Sequence, residues 1–147
     1  MLKVTRLADY AVLIISSFNG HEKDIVSAQK IIKKTSLKNA TAMKLLSILV
    51  KKDILVAYRG AQGGYKLKKN LENISIKELI EAIEGPVSLT DCLGSNTNNC
   101  NLFDVCITKN TWSIVNNAVK DTLENIKIKD ISNNNVSLRD QSQLLKI

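Results

Sequence analysis

One histidine and one proline occur in 147 residues, and every cysteine lies within a single stretch of fifteen. Each scarcity removes a class of function. The apolar run at residues 10–15 is far shorter than the roughly 20 residues that a bilayer crossing needs. No small-residue cleavage pattern accompanies the opening Met-Leu-Lys-Val-Thr-Arg. A cytoplasmic location without a membrane partner is expected. The lone His21 sits in the polar segment 21–24, far from the cysteines, and no paired-carboxylate motif is present. General acid–base chemistry lacks its usual groups, so the chain is not expected to be an enzyme. No internal repeat is found.

What is present begins with Cys92, Cys100 and Cys106, spaced C-x7-C-x5-C across a loop rich in Gly, Ser, Thr and Asn. A buried structural cysteine usually lies alone on an apolar face. Three in one polar loop can converge, and converging thiolates bind soft metals or iron–sulfur clusters. The plain alternative is a disulfide with a spare thiol, which a reducing compartment disfavours. A thiol-redox switch or a zinc site stays open, although zinc sites usually draw four ligands from CxxC-like pairs, which this spacing lacks.

The formal net charge of +7 is unevenly divided. Residues 1–70 carry 14 Lys and Arg against 4 Asp and Glu, whereas residues 71–147 carry 7 against 10. A basic first half joined to a mildly acidic remainder points to a polyanion partner for the first half.

Hydrophobic periodicity predicts a mainly α chain with a small β-wing. A helix is expected over 5–18, with Thr5 as cap and Leu7, Ala11, Ile14, Ile15 and Phe18 on one stripe. A second is expected over 27–35 from an N-cap at Ser27, and a third over 39–52 with Ala42, Leu45, Leu46 and Leu49 inward. Two short helices around the turn Ser36-Leu37-Lys38, the second faced by polar and basic groups, read as a helix-turn-helix. Strands at 54–58 and 65–68 flank a glycine-rich turn, which reads as a wing. A phosphate-cradling loop would need a helix after the glycines, and a strand with Tyr65 and Leu67 comes instead. Ser75 and Glu78 read as a capping box opening a fourth helix, which Gly85 and Pro86 end. A last helix over 109–126 carries Trp112, Val115, Val119, Leu123 and Ile126 as an apolar seam suited to dimerisation, with packing on the chain's own core as the alternative. The organisation expected is a DNA-binding unit at 1–86, a cysteine loop at 87–108, a dimerisation region at 109–131 and a disordered tail from 132.

These pieces together resemble the Rrf2 family of bacterial transcription regulators. The matching residues are Thr5-Arg6-Leu7-Ala8-Asp9-Tyr10-Ala11, the wing from Arg59 through Gly60, Gly63 and Gly64 to Leu67, Glu84-Gly85-Pro86, and the cysteine triplet. Leu89-Thr90-Asp91-Cys92 and the segment from Asn110 to Asn116 are most similar to the regulators of SUF iron–sulfur assembly operons. The resemblance implies a winged helix-turn-helix homodimer, with a long dimerisation helix and a cluster loop. It also implies an iron–sulfur cluster, [2Fe–2S] favoured over [4Fe–4S], held by Cys92, Cys100 and Cys106. One branch of the family has a histidine three residues after the third cysteine as fourth ligand; here that position is Lys109, a poor ligand while protonated. A branch that senses nitric oxide uses an aspartate in the first helix of the partner protomer. Asp9 matches that position, and Asp91 and Asp104 are local alternatives.

In such a dimer the third helix enters the major groove. Asn39, Ala40, Thr41, Met43 and Lys44 are expected at base edges. Ser27 at a helix N-terminus, with Lys30, Lys33, Lys34 and Lys38, is expected at phosphates. Arg59 and Gly60 of the wing are expected at the minor groove. Two-fold symmetry predicts a palindromic operator on double-stranded DNA. The function expected is an iron–sulfur-sensing regulator, a repressor of cluster-assembly genes. A thiol-redox, zinc or nitric-oxide-responsive regulator is the alternative.

Overall fold

In the computed structural model, residues 3–93 and 106–132 are described. The element order is α1 (Arg6–Ser16), α2 (Ala28–Thr35), α3 (Asn39–Lys51), β1 (Leu55–Tyr58), β2 (Gly64–Leu67), a 3-10 turn at Leu71–Asn73, α4 (Ile76–Glu84), a second 3-10 turn at Asp91–Leu93, α5 (Lys109–Asn125) and α6 (Ile128–Ser132). Cys100 and Asp104 lie outside the described residues, as does the tail from 133 onward.

Helix starts obey the capping chemistry of the sequence. The Ala8 N–H donates to Thr5 Oγ1 at α1, the Lys30 N–H to Ser27 Oγ at α2 and the Glu78 N–H to Ser75 Oγ at α4, each near 3.1–3.3 Å. The capping box at α4 is only half formed. The Glu78 carboxylate is drawn to Lys69 Nζ, 2.7 Å away, instead of serving the Ser75 backbone. Between α2 and α3, Ser36 takes the left-handed conformation, φ 56°, and its N–H donates to the Ile32 carbonyl at 2.8 Å. That single residue reverses the chain sharply enough to set α3 against α2.

The core is one cluster drawn from every element of the first 80 residues. Ile14, Ile15 and Phe18 of the α1 region, Ile31 of α2, and Leu45, Leu46 and Leu49 of α3 are all fully buried. Leu55 and Leu67 close it from the strands, and Leu79 from α4. The strands pair antiparallel, with Leu55 opposite Leu67 and Tyr58 opposite Gly64. A third strand-like contact comes from Val26, whose N–H and carbonyl both exchange hydrogen bonds with Tyr65 at 2.8 Å. This contact explains one wing glycine. A Cβ on Gly64 would lie 2.5 Å from the Val26 carbonyl oxygen, so the two backbones can approach only without a side chain.

The helix expected over 109–126 is found at 109–125, and a further short helix follows it. The helix stops at Asn125, the backbone extends through Ile126 and Lys127, and α6 begins at Ile128 and includes Ser132. The Ile76 N–H donates to the Ile126 carbonyl and the Ile128 N–H to the Ile74 carbonyl, both at 3.0 Å. Ile128 is 0% exposed and belongs to the core of the first 80 residues. Ile126-Lys127-Ile128 alternates apolar and polar, the period of an extended segment rather than a helix. The last turn of the seam is thereby fastened to the core of the first 80 residues. Lys129 Nζ donates to Glu22 Oε1 at 2.8 Å and Asn19 Nδ2 to the Ser132 carbonyl at 3.3 Å, extending the seal.

Ile128→Ala should destabilise the protein by about 2–5 kcal/mol, the cost of a buried large-to-small change. Equilibrium denaturant unfolding reads it; a change below about 1 kcal/mol would mean that α6 contributes little to the fold.

Candidate functional site

Two sets of residues stand out. The first is a basic surface built around α2, α3 and the wing. Lys38, Asn39, Ala40, Met43 and Lys44 are exposed and Thr41 is half-buried, while the opposite face of α3 supplies the core. Lys38 is the N-cap of α3 and makes no side-chain cap, so the first amides of the helix have no partner from it. Ser27 is exposed; its hydroxyl oxygen accepts from Lys30, which leaves its O–H to donate outward. Arg59 and Gly60 are exposed on the wing, Gly60 with φ 111°. Arg59, Gly60 and Gly63 share an open cleft of about 380 Å³ with Ala28 of α2. Lys30 and Lys33 are exposed. Lys34 is exposed too, and its Nζ donates to the Ser17 carbonyl at 2.6 Å, at the end of α1.

The second set is the cysteine segment. Cys92 lies in the 3-10 turn at Asp91–Leu93, with Sγ 3.2 Å from Thr90 Oγ1. Cys106 lies just before α5, with Sγ 3.4 Å from Thr108 Oγ1. Thr108 is the N-cap of α5, yet its side chain makes no cap bond. The Thr108 hydroxyl and N–H, then the Lys109 N–H and charge, outweigh burial and hold the Cys106 thiol below its ordinary pKa. Both cysteines are free and partly exposed. Two thiol donors, one inclined to the thiolate, fit a soft metal or an iron–sulfur group. Among the described residues no three His, Cys, Asp or Glu side chains gather to hold a metal ion. Asp9 is exposed on α1, and among the described residues it makes no side-chain bond to either cysteine segment. His21 pairs with Asp24, Nδ1 to Oδ2 3.0 Å, in the loop after α1.

The head of the cysteine segment is fastened to two helices. The Val87 N–H donates to Glu81 Oε1 of α4 at 3.2 Å, and the Leu89 N–H to Asn116 Oδ1 of α5 at 3.0 Å. The seam of α5 faces outward: Trp112 is 44% exposed, Val115 40% and Ile126 38%, with Val119 and Leu123 half-buried. Trp112, Val119 and Leu123 border an apolar groove of about 630 Å³ that Val4, Pro86 and Leu89 also line. Asn116 carries no signal of its role in the sequence, because an asparagine in a helix has no apolar period to mark it.

A three-residue turn between two helices, a glycine-dependent wing and a basic exposed face define a winged-helix DNA-binding transcription regulator. The Rrf2 family, described as iron-dependent transcriptional regulators, matches residues 4–134, and the chain belongs to that family. The HTH-type transcriptional regulator IscR of Pectobacterium atrosepticum is 28% identical over 134 residues, 90% of this chain and 80% of that protein. NsrR of Bacillus licheniformis is 27% identical over 139 residues, 94% of this chain and 97% of that one. Among solved structures, IscR of T. potens superposes with a TM-score of 0.68 at 26% identity, covering 95% of this chain and 92% of that one. CymR, the global cysteine regulator of B. subtilis, shares the fold with a TM-score of 0.69 at 24% identity, covering 91% of this chain and 98% of that one. These relatives are transcription regulators, not enzymes. Among the described residues no helix is long and apolar enough to cross a membrane.

In the metal-free protein, alkylation of Cys106 should reach half its maximal rate at a lower pH than that of a free cysteine peptide. Thr108→Val should move that midpoint upward. Site-resolved mass spectrometry after iodoacetamide pulses reads both; a midpoint equal to the peptide's would contradict the assignment of Thr108.

Proposed function

We propose that this regulator is a homodimer whose hold on a palindromic operator depends on an iron–sulfur cluster, and that it represses cluster-assembly genes. The single observation that carries the reading is the position of the cysteine segment. It leaves α4 of the DNA-reading unit and enters the exposed seam of α5, with free Cys92 and Cys106 at its two ends. Cys92, Cys100 and Cys106 would hold the group, favoured as [2Fe–2S], with Asp9 of the partner subunit as fourth ligand. When bound, the group supplies an iron- and oxidant-sensitive cross-link between thiolates. The description of the family as iron-dependent supports the choice of metal.

The chain's own residues account for DNA recognition. α3 enters the major groove, where Asn39 reads a base edge and Ala40 and Thr41 meet thymine methyl groups. Lys44 and Lys38 lie beside the backbone, and the Ser27 O–H donates to a phosphate at the start of α2. Arg59 and Gly60 approach the minor groove. Trp112, Val115, Val119, Leu123 and Ile126 bury their exposed apolar area against the second copy, and the shared seam fixes the spacing of the two reading heads. A coupling of about 1–3 kcal/mol between the cysteine segment and that spacing changes DNA affinity about 5–150-fold.

A second reading has its own support. The depressed Cys106 thiol and its partial exposure suit a thiol-redox switch without any metal.

Anaerobic purification with iron and acid-labile sulfide analysis, absorbance, EPR and native mass spectrometry separates the two. A coloured dimer whose charge-transfer absorption is lost in Cys92→Ala supports the cluster. A colourless protein holding stoichiometric zinc, or one whose DNA binding responds to oxidant but not to iron, overturns it. Operator affinity should fall about 10³–10⁵-fold between 50 and 200 mM salt if roughly 6–10 phosphates are contacted; a flat response would contradict the charge argument. Arg59→Ala should weaken operator binding and flatten preference at A/T positions. Unchanged binding in a gel-shift titration would remove the wing from the interface.

A further inference from the structure

α5 inverts the usual arrangement of a helix on a protein surface. Its one buried residue is polar, Asn116 at 3% exposure, while Trp112, Val115 and Ile114 point outward at 44%, 40% and 72%. Burying a carboxamide is costly unless its polar atoms are bonded. Here the Asn116 Oδ1 accepts the Leu89 N–H at 3.0 Å. Apolar contacts between a loop and a helix permit sliding, whereas one buried directional bond fixes the register.

That register matters because Leu89 leads directly into the turn that carries Cys92. The Ser88 hydroxyl donates to the Thr90 carbonyl at 2.5 Å, and the Leu93 N–H donates to the same carbonyl at 3.0 Å. The Thr90 hydroxyl sits 3.2 Å from Cys92 Sγ. An unbroken run of short contacts thus leads from Asn116 to the first cysteine. The last cysteine is held by Thr108, about 12 Å along the helix from Asn116 at 1.5 Å per residue.

We infer that Asn116 is a positioning residue for the cysteine site: it holds the turn carrying Cys92 in register on the same helix that begins beside Cys106. α5 then serves as the ruler between the two thiols, and a change at the site reaches that helix at Asn116. This rests on the cluster reading for its consequence, though not for its geometry.

The test compares Asn116→Leu, which keeps the γ-branched shape and removes the acceptor, with Asn116→Asp, which keeps an oxygen in the same place. In metal-free protein, Asn116→Leu should alkylate at Cys92 about tenfold faster than wild type, with Cys106 unchanged. Asn116→Asp should return Cys92 toward the wild-type rate. In reconstituted protein, a chelator should bleach the cluster absorption of Asn116→Leu faster than that of Asn116→Asp. A folded Asn116→Leu with both cysteines at wild-type rates would overturn the assignment, and so would an equal acceleration of the two. If Asn116→Leu does not fold, hydrogen exchange of the wild-type Leu89 amide decides. Protection matching the middle of α5 supports the tie, and exchange at the rate of an open loop overturns it. If wild-type protein takes up no iron, the cluster reading fails while the Cys92 to Cys106 rate ratio still tests Asn116.

Discussion

The rest of the architecture depends on the clamp between the entry to α4 and the exit from α5. Residues 74–76 and 126–128 pair as two short extended segments, and Ile128 drops into the core that organises the DNA-reading helices. Ser75 links the pair further, since its hydroxyl donates to Glu124 Oε2 at 3.1 Å while its oxygen caps α4. Burial pulls the Glu124 carboxyl upward, but Ser75, Lys127 and Lys77 together hold it below the usual carboxylate range. The clamp fixes the far end of α5, which also packs along α4 and pairs Glu124 with Lys77.

The near end of the reading unit is tied as well. The Thr5 N–H and hydroxyl donate to Glu84 Oε1 at 3.1 and 2.8 Å, so the start of α1 is bound to the end of α4. α4 therefore touches three things at once: the first helix, the clamp, and the Val87 N–H at the head of the cysteine segment. It is bonded to the head of the cysteine segment and contributes Leu79 to the core beneath the basic surface. Surface ion pairs such as Lys69–Glu78 decorate it and add little energy.

The first 86 residues are legible because each element announces itself by a local device. Thr5, Ser27 and Ser75 cap as their side chains require, the stripe of α3 matches the residues found buried, and that of α1 does so from Ala11 onward, with Ala8 buried in place of the half-buried Leu7. The wing is legible from its glycines, although two separate causes lie behind them: positive φ at Gly60 and close backbone approach at Gly63 and Gly64. Other features are hidden. α6 is five residues long, too short for a helical period, and Ile128 is buried by residues more than fifty positions earlier in the chain. Asn116 and Lys34 take roles set by long-range partners, Leu89 and Ser17, which no local pattern encodes. The cysteine spacing marks the segment that matters. Which donors meet within it depends on tertiary placement, and of the three thiols only Cys92 and Cys106 lie in the described residues.

Of the first five helices, α1, α2 and α4 have a side-chain oxygen at their opening amides, and the N-cap side chains of α3 and α5 supply none. An open helix start carries roughly half a positive elementary charge. One of these two electropositive points lies on the basic surface and the other beside Cys106. The backbone dipoles thus add positive charge in two places, one among the lysines of the basic surface and one next to the Cys106 thiol.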